Sequence, residues 1–284
     1  MILVTGAAGK TGQAVIKALL TKNAAVRAFV YRDTHIERAR AAGATEVLVG
    51  SMEDTSAFEQ AMQGIEAVYH ICPNMNPNEV EIGRIAIQAA QEAGVAHFVY
   101  HSVLHPQTEQ MPHHWNKLRV EAMLFEQQIP VTVLQPAAYM QNVLVGWSTI
   151  VEQGIYSVPY SVDTRLAMVD LNDVATTVAT VLTKPGHAGA VYELVGSDLL
   201  SRVEVAAVLG DVLKRPVKAT RISIDEWVEG AKVAGLGVYQ IETLLKMFNY
   251  YQRYQFVGNS NVLGWLLNRP PTTFRQFVER EKRQ

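Results

Sequence analysis

The chain has 284 residues, 49% of them hydrophobic, with 25 basic against 27 acidic side chains and a formal net charge of −2. That length and apolar content supply one well-buried α/β domain with room for a small lobe. The balanced charge, without a run of one sign, argues against a nucleic-acid footprint.

Cys72 is the only cysteine, which excludes an internal disulfide and suits a reducing, cytoplasmic setting. No basic-then-apolar leader and no apolar run of about 18 residues is found, so the expectation is a chain free of the membrane. In chain order, the first two thirds alternate β-branched runs with helical periodicity, the pattern of parallel βαβ units. Strands are predicted at Ile2–Thr5, Ala25–Tyr31, Glu46–Val49, Ala67–Ile71, His97–Ser102 and Val131–Gln135. Between them, Ala14, Val15, Ala18 and Leu19 form one helical stripe. Ile82, Ile85, Ala86, Ala89 and Ala90 form another, closed by Gly94.

After Pro136 the alternation loosens. A helix is predicted over Tyr139–Gln153, a strand over Arg165–Val169, a helix over Asp173–Leu182 and a strand over Val191–Val195. Ser201 with Glu204, and Ser223 with Glu226, are spaced as capping boxes, and helices follow at Val238–Tyr254 and Thr273–Lys282. The expected fold is α/β: a doubly wound parallel Rossmann sheet with a smaller, mainly helical C-terminal lobe. Residues 1–136 form the dinucleotide-binding core, with its sheet extended by 165–195. Residues 137–164 and 196–284 form a substrate lobe that does not fold independently.

The chemistry begins where the first strand runs into Thr5-Gly6-Ala7-Ala8-Gly9-Lys10-Thr11-Gly12 and an amphipathic helix. Gly6 permits the turn, Gly9 lets backbone N–H groups approach a pyrophosphate, and Gly12 permits close helix–sheet packing. The helix N-terminus supplies unpaired donors and a positive dipole end. Ala8, Lys10 and Thr11 complete the phosphate loop. The second strand ends in Tyr31-Arg32-Asp33, about 20 positions on, where NAD binders place an acidic residue on the ribose. A guanidinium there clamps a 2′-phosphate, and Lys10 adds charge, which favours NADP(H) over NAD(H). Asp33 either serves the ribose or pairs with Arg32. Gly9-Lys10-Thr11 is not a P-loop, because the G-x-x-x-x-G-K spacing is absent. His113 and His114 lack a third ligand at metal spacing, so no metal is expected.

The opening Val-Thr-Gly-Ala-Ala-Gly-Lys-Thr-Gly resembles the NmrA-like family of atypical short-chain dehydrogenases. So do Tyr31-Arg32, His113-His114-Trp115-Asn116-Lys117, Gln135 to Asn142, and Val169 to Ala175. That resemblance implies relatives among NADPH-dependent quinone, triphenylmethane-dye and phenylpropanoid reductases, and among non-catalytic proteins that sense NADP(H). It implies that Lys117 contacts the nicotinamide ribose, that Ser102 occupies the catalytic-serine position, and that Tyr139 and Asn142 lie near the nicotinamide. Cys72 and Pro73, after the fourth strand, and Pro136, after the sixth, wall the cofactor. The usual Tyr-x-x-x-Lys pair is missing; His113 stands four before Lys117, on one helical face, as a proton donor. Ser51 stands where relatives carry Asp near adenine. The expected activity is NADPH-dependent hydride transfer to a small conjugated acceptor such as a quinone, enone or dye. The alternative is a redox sensor acting on a regulatory protein partner; a homodimer stays open.

Overall fold

The computed structural model describes residues 1–283 and divides into two compact units. The first comprises Met1–Gln107, His113–Pro136 and Leu171–Glu193. Its elements alternate: β1 (Ile2–Val4), α1 (Lys10–Leu20), β2 (Val26–Val30), α2 (Ile36–Ala42), β3 (Glu46–Val49), α3 (Thr55–Met62), β4 (Ala67–His70), α4 (Glu79–Glu92), β5 (His97–His101), α5 (Pro112–Phe125) and β6 (Val131–Pro136). The seven-stranded sheet runs Val191–Leu194, β6, β5, β4, β1, β2, β3. Neighbours from β6 to β3 are parallel. The order reverses between β1 and β4, which places the ligand crevice beyond their C-terminal ends.

Strands β1, β4 and β6 are buried along their whole length, as a parallel sheet covered on both faces requires. Phe29, Phe58, Val68, Phe98, Tyr100 and Val120 belong to the main core, where each fully buried Phe contributes about 1.5–3 kcal/mol. On α1 the buried stripe is Gly12, Val15, Ile16 and Leu19, rotated toward Ile16 from the predicted face; the helix Leu171–Thr183 packs against it. Strands end one residue earlier than predicted at Val4, His70 and His101, and likewise at Val30 and Leu194. At the first two of these ends, Thr5 Oγ1 takes over from the ladder. It accepts from Ile71 N at 2.8 Å and donates to Ile71 O at 3.0 Å.

The second unit comprises Thr108–Pro112, Ala137–Asp170 and Leu194 onward. Leu166–Val169, expected to extend the Rossmann sheet, lies in a separate sheet. Ala138–Tyr139 pairs with it in parallel and Leu199–Leu200 antiparallel, so both its edges are occupied. Only Val191–Leu194 joins the large sheet. The helix expected over Tyr139–Gln153 is three pieces: the end of the Ala138–Tyr139 strand, a 3₁₀ segment Met140–Gly146, and a helix Trp147–Gln153. Gly146, at φ −103° and ψ 19°, leaves helical geometry and divides the last two. Ile155–Val158 and Lys218–Arg221 form a two-stranded parallel pair that pattern reading missed, because both are short and one is largely exposed. Ser201 and Glu204 make the full capping box; Ser223 accepts from Glu226 N, half of the motif. Asp170, fully buried, accepts two bonds from Arg280 of the helix Phe274–Glu281, at 2.6 and 3.1 Å, and one from Gln141 at 2.7 Å. Among the described residues, no helix is long and apolar enough to cross a membrane.

Candidate functional site

The glycine loop forms at the β1/β4 reversal because each glycine meets backbone. Gly6 has φ +57°, a left-handed conformation, and a Cβ on it would stand 3.1 Å from Ile71 O. Gly12 is tighter: a Cβ there would lie 2.5 Å from Gly6 O and 2.6 Å from Ala7 Cα. The loop is also tied down by Gly9 N on Gly6 O at 3.0 Å, and by Gln13 Nε2, which donates to Ala8 O at 2.9 Å. Gly9 is the N-cap of α1 and has no side chain to cap it. By contrast, the N-cap of α3, Asp54, accepts from Ser56 and Ala57 N. Gly9 and Lys10 are exposed, Thr11 is half-buried and Ala8 is buried. Helix N–H groups without a side-chain cap, beginning beside the exposed Gly9, fit a pyrophosphate.

At the end of β2, Tyr31, Arg32 and Asp33 are exposed. The Arg32 guanidinium lies 5.3 Å over the Tyr31 ring centroid, and Asp33 opens a 3₁₀ turn, Asp33–His35. At that distance the Tyr31 ring offers the guanidinium a cation–π contact.

Lys117 is fixed by a buried polar cluster. Its Nζ donates to Glu79 Oε1 at 2.6 Å and to His101 O at 3.0 Å. The Lys117 side chain is 14% exposed and that of Glu79 1%. Tyr100 OH donates to the same Glu79 oxygen at 3.0 Å, with Lys117 Nζ 5.3 Å from its ring centroid. A tyrosine does therefore stand beside the lysine, although not at i−4. Burial and the Glu79 charge push its phenol well above the ordinary range, so it supports Glu79 as a neutral donor.

His113 is buried and, four positions before Lys117, shares its helix face. Burial, then His114 and Lys117, push it down to about 2, and its Nδ1 has no hydrogen-bond partner. It is neutral at ordinary pH, so the expected proton donor carries no imidazolium proton to give: desolvation outweighs everything else. Ser102 is buried too, and donates to Glu121, whose two oxygens each accept from Gln135 Nε2 at 3.0 Å. That joint links β5, α5 and β6. Burial raises the Glu121 carboxyl. Cys72 is buried, with burial and Glu79 pushing its thiol up into the neutral form, and Pro73 beside it is exposed. Pro136 closes β6, and its carbonyl accepts from Leu104 N at 2.9 Å. In the second unit, Tyr139 pairs with Val169, and Asn142 is exposed on the 3₁₀ segment.

Glu79, Tyr100 and Glu121 escaped the sequence reading, and Gln135 entered it only as part of the resemblance. The signal was present for Glu79, which lies at i−3 and i−7 from Ile82 and Ala86, on the buried face of α4. A carboxylate within an apolar stripe needs a buried partner.

Four buried histidines predict acid lability. Burial pushes His70 and His101 down to about 3, His113 to about 2 and His114 to about 4, from the ordinary 6.5. The unfolded chain therefore takes up protons first. Stability is complete above about pH 6.5 and falls with acidification, by about 1.4 kcal/mol per pH unit for each histidine until that histidine's own folded value is reached. His70 Nδ1 lies 3.1 Å from Thr5 Oγ1, a contact an amide can keep. Urea unfolding of His70→Asn between about pH 6 and pH 4 should show a slope lower by about 1.4 kcal/mol per unit. An unchanged slope would contradict the assignment.

A parallel sheet with a glycine loop leading into an uncapped helix at its reversal point defines a dinucleotide-binding Rossmann protein. The chain is 27% identical to the NAD(P)H azoreductase of Xenophilus azovorans over 98% of its length and 97% of that protein. It is 28% identical to quinone oxidoreductase 2 of Escherichia coli (strain K12), over 98% and 97%. The crystal structure of the Escherichia coli NADPH-dependent quinone oxidoreductase complexed with NADPH superposes with a TM-score of 0.86 at 27% identity, covering 99% of this chain and 100% of that one. Residues 1–275 match the NmrA-like family, and the chain belongs to it.

Proposed function

We propose that this chain is an NADPH-dependent reductase that passes hydride to a small conjugated acceptor, a quinone or an azo-type dye, in the cytoplasm. The observation that carries this function is the cradle at Gly6, Gly9 and Gly12, where backbone leaves no room for a Cβ beside Gly12. Nearly full-length similarity to reductases named for quinone and azo acceptors supports the acceptor class.

When bound, the nicotinamide supplies a hydride from its C4. The rest falls to the chain. Amides of Lys10, Thr11 and Gly12 bind the pyrophosphate, with Gly6, Ala8 and Gly9 shaping the loop. Arg32 takes the 2′-phosphate, and Lys117 donates to a ribose hydroxyl. Cys72, Pro73 and Pro136 line the cofactor's path. Ser102 stiffens the end of β5 through Glu121. His113, neutral, offers an imidazole that orients the acceptor without having to ionise. A quinone that accepts hydride becomes a hydroquinone anion, which water can protonate. The missing Tyr-x-x-x-Lys pair is thus no obstacle for this acceptor class.

NADPH oxidation followed with a panel of quinones and azo dyes tests the function. Turnover is expected, with Lys117→Ala lowering kcat/KM by about 100-fold. Tight NADPH binding without turnover on any acceptor would establish the non-catalytic sensor instead.

A further inference from the structure

We propose that Glu79 is a positioning residue for the reaction, which turns Lys117 from a flexible cation into an aimed donor. This rests on the reading that Lys117 serves the nicotinamide ribose. An ammonium has three N–H donors. Two of them have fixed acceptors, Glu79 Oε1 at 2.6 Å and His101 O at 3.0 Å. The direction of the third follows from tetrahedral geometry, so the lysine presents one N–H along one line. Without Glu79, a four-carbon stem samples many rotamers, each of which must be lost again on binding.

Three further observations mark the pair as built for this. Glu79 is 1% exposed, on an otherwise apolar helix face, where an unpaired carboxylate is costly. Tyr100 OH fixes the same carboxylate oxygen at 3.0 Å. Gly83, one turn beyond Glu79 on α4, lies against Val120 of α5; a Cβ at Gly83 would come within 2.7 and 2.8 Å of the two Val120 methyl carbons. Val120 stands three residues after Lys117, so the absence of a Cβ at Gly83 lets the two helices approach closely enough for the carboxylate to reach the ammonium.

Glu79→Gln keeps the shape and an acceptor oxygen but removes the charge. The expected result is a loss of about tenfold in kcat/KM for NADPH-dependent quinone reduction, with calorimetric NADPH affinity weakened in step. Without NADPH, Lys117 should be acetylated by acetic anhydride several-fold faster in Glu79→Gln, read by peptide mass spectrometry. Tyr100→Phe should shift all three measurements the same way by a smaller factor, and serves if Glu79→Gln folds poorly. In a Lys117→Ala background, Glu79→Gln should cause no further loss, because its effect passes through the lysine. A further tenfold loss there assigns Glu79 a merely structural role and overturns the inference. So does wild-type behaviour of Glu79→Gln when Lys117→Ala is impaired; that outcome leaves the role of Lys117 intact. If Lys117→Ala itself binds and turns over NADPH normally, the reading of the lysine fails, and this inference with it.

Discussion

Gly12→Ala should weaken NADPH binding by at least about 1000-fold, equivalent to about 4 kcal/mol. The new Cβ would fall 2.5 Å from Gly6 O and 2.6 Å from Ala7 Cα, both backbone atoms that cannot rotate away. The start of α1 must therefore move off the loop, and amides that converge on one pyrophosphate no longer do so. Displacements of about 1 Å at such a site cost orders of magnitude. Calorimetry with NADPH measures the loss, and a thermal melt shows whether the fold survives. Gly9→Ala separates the two effects. Its φ of −73° suits any residue, and its Cβ would touch only Gly6 O, at 3.2 Å. Its melting temperature should stay within about 2 °C of wild type, while NADPH binding weakens because a methyl group stands where phosphate must approach. Gly12→Ala binding NADPH within tenfold of wild type would falsify the assignment of the cradle.

Arg280→Ala should destabilise the second unit by about 3 kcal/mol, a large part of a total near 5–15 kcal/mol. Asp170 is fully buried, and the substitution strips it of two charge-assisted bonds, at 2.6 and 3.1 Å, while its desolvation remains. Arg280 is 31% exposed, which holds the effect toward the lower end of the range for buried pairs. The damage should spread to Tyr139 and Asn142, because Gln141 between them donates to the same carboxylate at 2.7 Å. Urea unfolding measures the loss. In Arg280→Ala/Asp170→Asn, part of it should return, since no uncompensated carboxylate is left behind. A cost below about 1 kcal/mol for Arg280→Ala would show that the carboxylate does not depend on this pair.

The βαβ core was legible because its signals are local. Apolar runs such as Val26–Val30 and Val131–Pro136 are long enough to state their period, and glycine spacing between a strand and a helix has few other uses. The second unit was less legible. Leu166–Val169 reads correctly as a strand, but nothing in its own residues says which sheet takes it; pairing partners come from distant segments, Leu199–Leu200 and Ala138–Tyr139. Tyr139–Gln153 carries helical periodicity, yet Gly146 breaks it.

The βαβ alternation and the glycine loop between β1 and α1 were legible in the amino-acid sequence alone, because those signals lie within a few residues of one another, whereas Lys117 was singled out by the family resemblance. Tertiary structure decided what the site's side chains are chemically. Packing α4 against α5 placed Glu79 on Lys117 across 38 positions of chain. Burial held His113 neutral and engaged Ser102 with Glu121. Charge state depends on the dielectric and the partners around a group, and these exist only once remote segments have met.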